Sequence, residues 1–379
     1  MDLYFDYNGS TPVHPEVRRL AVELLDRDHG NASAAHPAGR AARERIDRAR
    51  AVVARALNAR TEEIFLTSGG TESNNWALAG SVPHGGRRHL VVSAIEHKSV
   101  LATARALEAS GAELTVVPVE RSGAVSLDAI ARSLRPETAL VSLMFANNET
   151  GVLQPVHEVG ALCRARGVRF HVDAVCALGR EPLDVERLQC DLLSLSSHKL
   201  YAPKGTGILY VRAGTELRPL IHGCGQQCGA RGGTENTAGI AAFARALECL
   251  EEGRMPAPAA LAELRDELWE RLRDRLPRAR RNGAGRLLCN TLNVCLPGTR
   301  AFEVQSALGE LGISVSAGAA AATAAPSHVL VAMGVSEDDA RASLRFSLGA
   351  GTTRESLARL VDALATVLAS SSSLAAAPR

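Results

Sequence analysis

Short runs rich in apolar and β-branched residues recur between residues 63 and 211, and helical apolar spacing separates most of them. Strands that alternate with helices form parallel sheets, because each helix carries the chain back to the start of the next strand. The pattern therefore predicts an α/β fold with a mostly parallel, seven-stranded sheet. The predicted strands are 63–67, 89–93, 114–118, 139–143, 169–172, 191–195 and 207–211.

A change in the chain's organisation is predicted after the helix-patterned segment 237–253. Pro256 and Pro258 follow it closely and favour a change of direction. The last residues are rich in Ser and Ala and include a proline, a composition typical of a fraying end. The predicted units are an N-terminal segment packing with the small domain (1–15), a large domain (16–253), a small α+β C-terminal domain (254–369) and a flexible tail (370–379).

Composition narrows the class of protein. A chain of 379 residues with 46% hydrophobic and 22% charged residues can bury a large core. Its net charge of +2 gives no electrostatic case for binding nucleic acid or an anionic membrane surface. The N-terminus lacks the pattern of a signal peptide, and the eight cysteines lack the spacing of a disulfide framework. We therefore expect a cytoplasmic enzyme with reduced thiols and no metal site.

Candidate chemistry begins at the ends of two predicted strands. Lys199 follows an apolar strand and is preceded by His198, and Asp173 ends the previous strand. An amine that forms a Schiff base and a carboxylate that pairs with a pyridinium nitrogen are the usual protein partners of pyridoxal phosphate. Either residue alone could be an ordinary surface or strand-end charge, but together they predict a pyridoxal site.

A phosphate anchor is predicted at the segment 67–75, Thr-Ser-Gly-Gly-Thr-Glu-Ser-Asn-Asn, which follows the first strand of the sheet. Free backbone N–H groups and the helix dipole at a strand-to-helix junction favour an anion. An ordinary tight turn with a helix cap is the competing interpretation. The pair formed by Lys199 and Asp173 favours the phosphate site.

Ordered motifs along nearly the whole chain resemble the class V pyridoxal-phosphate enzymes, and among them the cysteine desulfurases and selenocysteine lyases. The resemblance implies a fold-type I enzyme with pyridoxal 5'-phosphate as its cofactor. The motifs that carry it are Tyr4 to Pro12, Gly30 to Ser33, Gly39-Arg40, Thr67 to Asn75, Glu96-His97, Asn147 to Gly151, His171 to Ala174, Ser194 to Gly205, Gly232 to Asn236 and Arg345 to Gly349.

The same resemblance implies residue roles. Lys199 would hold the cofactor and move the substrate Cα proton, and His97 would stack on the ring. Asn148 would lie near the phenolic oxygen of the cofactor and the carboxylate of the substrate. Arg345 would pair with the same substrate carboxylate. The implied cofactor-binding set is Gly70, Thr71, His97, Asn148, Asp173, Cys176, Ser196, His198, Lys199 and Thr234. Thr234 would reach the active site of the neighbouring subunit in a homodimer. The family also uses sulfur-acceptor proteins as partners, but no residue pattern in this sequence indicates one.

One departure from the family concerns its catalytic step. Desulfurases of this family carry a persulfide-forming cysteine on a loop, and Ala321 stands at the matching position, with no cysteine after Cys295. The shortened loop and extra thiols favour natural divergence over an engineered alanine. Cys176 replaces a family glutamine, and Cys224 and Cys228 lie in a loop without family thiols. They are either tolerated small side chains or a relocated nucleophile, Cys224 and Cys228 being the more mobile candidates.

Several functions are consistent with this sequence. The favoured one is a pyridoxal enzyme acting on an amino acid without a protein persulfide, by C–S or C–Se lysis or desulfinase-type elimination on cysteine or a cysteine derivative. Transamination or epimerisation also needs no cysteine. A desulfurase with a relocated thiol, or a non-catalytic scaffold, are further alternatives, and retention of Lys199, Asp173 and His97 disfavours the scaffold.

Overall fold

The fold is taken from a computed structural model of the chain, which describes residues 2–82, 87–318 and 325–375, the last six without their side chains. The strands are β1 Leu3–Tyr4, β2 Ile64–Thr67, β3 His89–Ser93, β4 Glu113–Val117, β5 Thr138–Met144, β6 Arg169–Asp173, β7 Leu192–Ser196, β8 Gly207–Val211, β9 Arg280–Asn282, β10 Thr291–Cys295, β11 Ile313–Ser314 and β12 Ser343–Ser347.

The α-helices follow the strands in alternation through the first part of the chain. They are α1 Pro15–Arg27, α2 Pro37–Leu57, α3 Gly70–Ser81, α4 Lys98–Ala109, α5 Leu127–Ser133, α6 Val156–Arg166, α7 Val185–Leu188, α8 Thr237–Glu251, α9 Pro258–Arg275, α10 Ala301–Glu310, α11 His328–Ala332, α12 Glu337–Arg341 and α13 Arg354–Ala375. Short 3₁₀ helices lie at Thr61–Glu63, Ser197–Lys199 and Gln226–Gly229.

A seven-stranded sheet in the order β2-β8-β7-β6-β5-β3-β4 forms the centre of the large unit. Strand β8 runs antiparallel to both of its neighbours, and the other pairs are parallel. Every residue of β3, β5, β7 and β8 is buried. Strands covered on both faces need mostly apolar residues, and these four strands are apolar apart from a few Ser, Thr and His side chains. The predicted α/β fold and its seven strands are confirmed.

Local sequence explains where the helices that cover this sheet begin and end. Helix α2 starts at Pro37, where a missing N–H costs nothing, and the ring of His36 accepts a hydrogen bond from the Gly39 N–H at 3.2 Å. It ends at Asn58, which adopts the left-handed conformation with φ of 54°. Helices α2, α6 and α8 cover one face, and α3 and α4 cover the other.

A second, antiparallel sheet in the order β12-β10-β9 lies in the C-terminal part and packs against α9, α10 and α13. Phe5 belongs to the same apolar core, and β1 pairs in parallel with β11. The domain boundaries stay predictions. Helix α13 continues to Ala375, so it extends into the segment predicted as a flexible tail. Among the helices of the described ranges, none has the length and apolar character needed to cross a membrane.

Candidate active site

A cavity of about 570 Å³ lies where the carboxyl ends of parallel strands meet the start of α3. Ligands of open α/β sheets bind in this crevice, because strand ends and helix N-termini converge there. Its lining includes the predicted residues Gly70, Thr71, His97, Asn148, Asp173, Cys176, Ser196, His198 and Lys199. Thr234 and Arg345 do not line it, and Thr234 is exposed.

Lys199 ends the 3₁₀ turn that follows β7. Its Nζ donates hydrogen bonds to the backbone oxygens of Asn8 and, at 3.1 Å, Gly9. Burial lowers the pKa of the Lys199 amine; Cys176 opposes this shift and Arg345 supports it. A lowered pKa favours the neutral amine, which is the nucleophilic form that Schiff-base chemistry requires.

Asp173 ends β6 and is buried at 5% exposure. One carboxylate oxygen accepts the Val175 N–H at 3.0 Å, and the other accepts the Asn74 amide at 2.7 Å. Two amide donors stabilise the ionised carboxylate. These two bonds fix the orientation of the Asp173 carboxylate, whose remaining lone pairs can accept a hydrogen bond from a protonated ring nitrogen.

His97 is the N-cap of α4, and its Nδ1 accepts the Ser99 N–H at 3.1 Å. Because Nδ1 acts as an acceptor, the neutral ring carries its proton on Nε2. Burial lowers the pKa of His97, Asp173 opposes this shift, and Lys199 supports it. The ring is thus kept neutral inside the cavity.

The N-terminus of α3 forms one end of the cavity. The first N–H groups of a helix have no partner within the helix, and the dipole there favours an anion. A Cβ on Gly70 would lie 2.7 Å from Val175 Cγ2, so the backbone is bare where it lines the cavity. Ser196 and His198 also line the cavity, and burial together with the charges of Lys199 and Lys204 lowers the pKa of His198 to about 4.

Arg345 adjoins the cavity without lining it. Its Nη2 pairs with Asp6 at 2.6 Å and its Nη1 donates to the Asn148 backbone oxygen at 3.2 Å. Its Nε is buried without a partner among the described residues. The Arg345 guanidinium is therefore already paired with Asp6 and the Asn148 backbone in this structure, and its Nε donor is unpaired among the described residues.

The cysteines separate into three environments. Cys176 lines the cavity, Cys224 and Cys228 are exposed outside it, and the remaining thiols are buried. The described ranges contain no group of three or more His, Cys, Asp or Glu that could hold a metal ion. Ala321 lies outside the described residues.

The residues present fit pyridoxal 5'-phosphate. The bare backbone at Gly70 accommodates a phosphate, and the anionic Asp173 suits a pyridinium nitrogen. Lys199 supplies a buried amine in the same cavity. When bound to such a lysine, this cofactor withdraws electrons from the bonds at the substrate Cα.

Comparison with known proteins shows the class. The aminotransferase class-V family model matches residues 3–360, and the chain belongs to this family. It is similar to cysteine desulfurase IscS of Clostridium botulinum, with 38% identity over 373 residues that cover 97% of this chain and 94% of the relative. It is also similar to cysteine desulfurase IscS of an Anaeromyxobacter species, with 40% identity over 366 residues that cover 95% and 90%.

Solved structures give the same result. A NifS-like protein matches with a TM-score of 0.90 and 36% identity, over 97% of this chain and 100% of that one. SspA in complex with cysteine matches with a TM-score of 0.81 and 37% identity, over 91% and 98%. The chain is a pyridoxal 5'-phosphate-dependent enzyme of the cysteine desulfurase-like type. The predicted fold class, family and cofactor are confirmed.

Some cavity residues were not predicted as site residues. Lys204 lies within the motif that contains Lys199, Asn74 lies within the predicted phosphate segment 67–75, and Val175 precedes Cys176. Asn74 stands in the same segment as Thr71, but helical spacing alone does not say which of its polar side chains faces the cavity. The Asp6 contact of Arg345 joins residues too far apart in sequence for any local signal.

Proposed function

We propose that this enzyme cleaves the Cβ–S or Cβ–Se bond of cysteine, or of a cysteine derivative such as cysteine sulfinate or selenocysteine, without a persulfide on segment 319–324. One observation carries the proposal. The cavity unites Lys199, Asp173 and His97, while segment 319–324 contains no cysteine. Such substrates release a stable leaving group without attack by a thiol.

Each of the proposed catalytic residues has a defined task. The Lys199 amine holds the cofactor and then moves the proton at the substrate Cα, which its lowered pKa favours. His97 presents a neutral ring to the cofactor face. Asp173 holds the proton of the ring nitrogen. Asn148 and Arg345 bind the substrate carboxylate, and Arg345 leaves Asp6 to do so.

A desulfurase with a relocated thiol is the second candidate, and the cavity favours Cys176 for this role. Cys176 lines the cavity together with Lys199, whereas Cys224 and Cys228 are exposed outside it. The loop of Cys224 and Cys228 also leads to Thr234, which we propose reaches the neighbouring site of a homodimer. All three thiols therefore belong in the test.

The experiment offers cysteine, cysteine sulfinate, selenocysteine and S-substituted cysteines to the holoenzyme and measures sulfide, sulfite, selenium, alanine and pyruvate. We expect turnover of at least one derivative that survives in Cys176→Ser, Cys224→Ser and Cys228→Ser and is lost in Lys199→Ala. Sulfide from cysteine together with a persulfide on one of these thiols, lost when that thiol is replaced, would contradict the proposal and establish the relocated nucleophile. Transamination with a keto acid would assign the enzyme to the aminotransferase alternative.

A further inference from the structure

A continuous line of hydrogen bonds joins Asp173 to His97 through two residues that have no role in the proposed reaction. The Asn74 amide nitrogen donates to Asp173 at 2.7 Å and to Ser99 Oγ at 2.9 Å. Ser99 Oγ lies 2.7 Å from Nδ1 of His97. Asn74 belongs to α3 and Ser99 to α4, so the line bridges two helices that begin at the cavity.

The direction of each bond follows from the donors available. The Asn74 nitrogen can only donate, so Ser99 Oγ accepts from it. Nδ1 of His97 accepts the Ser99 N–H and therefore carries no proton of its own. The bond between Ser99 Oγ and Nδ1 must then be donated by the Ser99 hydroxyl. The protons along the line therefore have one consistent arrangement, with His97 protonated on Nε2.

Burial and an unpaired atom indicate why Asn74 is an amide. Asn74 is 1% exposed, and its Oδ1 is buried without a partner among the described residues. Turning the amide over would place that oxygen against the Asp173 carboxylate. The Asn74 side chain therefore adopts the orientation that satisfies both of its N–H donors, while its carbonyl oxygen accepts no hydrogen bond from the described residues.

We infer that Asn74 and Ser99 are positioning residues that couple the anionic state of Asp173 to the neutral, Nε2-protonated state of His97. Neighbouring hydrogen bonds polarise one another in a chain of this kind. Donation by Asn74 makes the Ser99 hydroxyl a better donor to His97 and resists protonation of Nδ1. The inference rests on the cofactor site and is independent of which substrate is cleaved.

Other charges also face His97 and must stay constant in a test. They are Asp173, Lys199, His328 and Lys98. Asn74→Leu and Ser99→Ala leave all four in place. Because Asn74→Leu also removes a hydrogen bond from Asp173, the comparison in the Ser99→Ala background separates an effect through the hydrogen-bond line from a direct effect of Asp173 on His97.

The test measures the protonation midpoint of His97 by ¹⁵N NMR of the holoenzyme, with visible absorbance confirming that cofactor is bound. Asn74 does not contact His97, yet we expect Asn74→Leu to raise the midpoint by about 0.5 pH unit. Ser99→Ala should raise it by about 1 unit. In the Ser99→Ala background, Asn74→Leu should add nothing, because the connection is already broken.

The matched control is Asn75→Leu, which alters the next residue of the same helix; its amide donates to the Thr71 backbone oxygen. We expect the wild-type midpoint. An unchanged midpoint in Asn74→Leu, or a shift that persists in the Ser99→Ala background, would overturn the inference. If Asn74→Leu does not fold, the test uses Ser99→Thr, which retains the hydroxyl. Ser99→Thr should keep the wild-type midpoint, and Ser99→Ala should raise it. The same midpoint in both variants would refute the coupling.

Discussion

Replacing Gly70 with alanine tests whether the bare backbone at the start of α3 is required for the cofactor. The added Cβ would lie 2.7 Å from Cγ2 of Val175 and 3.5 Å from Cβ of Ser196. Real Cβ atoms do not approach a carbon so closely, and a β-branched valine has few rotamers with which to retreat. Val175 lines the cavity, so its displaced methyl group would enter the space of the cofactor.

The magnitude follows from the cost of overpacking, which is about 1–3 kcal/mol. If the whole cost fell on cofactor binding, affinity would decrease roughly 5- to 150-fold, since 1.4 kcal/mol is tenfold. Any part borne by the fold would instead lower the free energy of unfolding. We therefore expect Gly70→Ala to weaken pyridoxal phosphate binding by at most roughly 150-fold, and any part of the about 1–3 kcal/mol that binding does not show should appear as a loss in the free energy of unfolding.

The assay is absorbance titration of the cofactor-free protein with pyridoxal phosphate, together with urea unfolding of both forms. Val175→Ala removes the methyl group that Gly70→Ala meets, so the double variant should regain most of the lost affinity. Unchanged binding and stability in Gly70→Ala would refute the argument. A double variant as impaired as Gly70→Ala would show that the contact with Val175 is not the cause.

Three further predictions concern the surroundings of this site. The chain has three lysines, Lys98, Lys199 and Lys204. Borohydride reduction of the holoenzyme should attach the cofactor covalently to Lys199 alone, as shown by peptide mapping. Label on Lys204 would contradict the assignment. Arg231 pairs with Glu72 at 2.8 Å. Burial raises the pKa of the Glu72 carboxyl, but the bonds from Arg231 and Ser68 lower it by more, so the pKa is lowered overall. Arg231→Met should therefore cost about 1.5–3 kcal/mol in urea unfolding near pH 7. A lowered carboxylate pKa gives stability above the unfolded pKa that is lost as pH falls, so the cost should shrink below about pH 4, and a constant cost would refute the ionic cause. The Gln227 side-chain amide accepts a hydrogen bond from Leu66 N at 2.6 Å and donates one to Leu66 O at 2.8 Å, on the edge strand β2. Gln227→Ala should lower the free energy of unfolding by about 1–3 kcal/mol. Gln226→Ala, which removes a hydrogen bond from Gly233 N at 3.3 Å, should lower it less.

The sequence predicts strands and the ends of strands well in this chain, for a physical reason. Strands buried on both faces are mostly apolar, so 207–211, Gly-Ile-Leu-Tyr-Val, stands out without knowledge of the fold, and 169–172 and 191–195 are recognisable although each contains two polar residues. Polar residues that end such runs, Asp173 and Lys199, then share one edge of a parallel sheet. The cofactor site follows from local pattern because topology brings these ends together.

Contacts between distant segments are harder to predict. The pairing of Arg345 with Asp6 and the line from Asn74 to Ser99 join different elements, and their partners depend on how those elements are rotated and packed. The family motif implies that Arg345 pairs with a substrate carboxylate, but it does not specify the residue that Arg345 contacts in the absence of substrate. The same holds for Lys204, whose approach to the cavity depends on the turn after Lys199.

The residues of the cofactor site follow strands of the central sheet. Asp173 and Lys199 follow central strands of the seven-stranded sheet. Segment 319–324, in contrast, joins described residues that both meet Glu149: the Ser327 hydroxyl donates to it, and a Cβ on Gly318 would lie 3.3 Å from its Oε2. Glu149 is buried, and Asn147 accepts its backbone N–H at 2.9 Å. Ser327 is thus bonded to Glu149 and Gly318 passes close to it, and neither residue lines the cavity that contains Lys199 and Asp173. Under the proposed function, a change of residue type in this segment would therefore leave proton transfer at the substrate Cα to Lys199 and alter which leaving groups depart from the substrate Cβ.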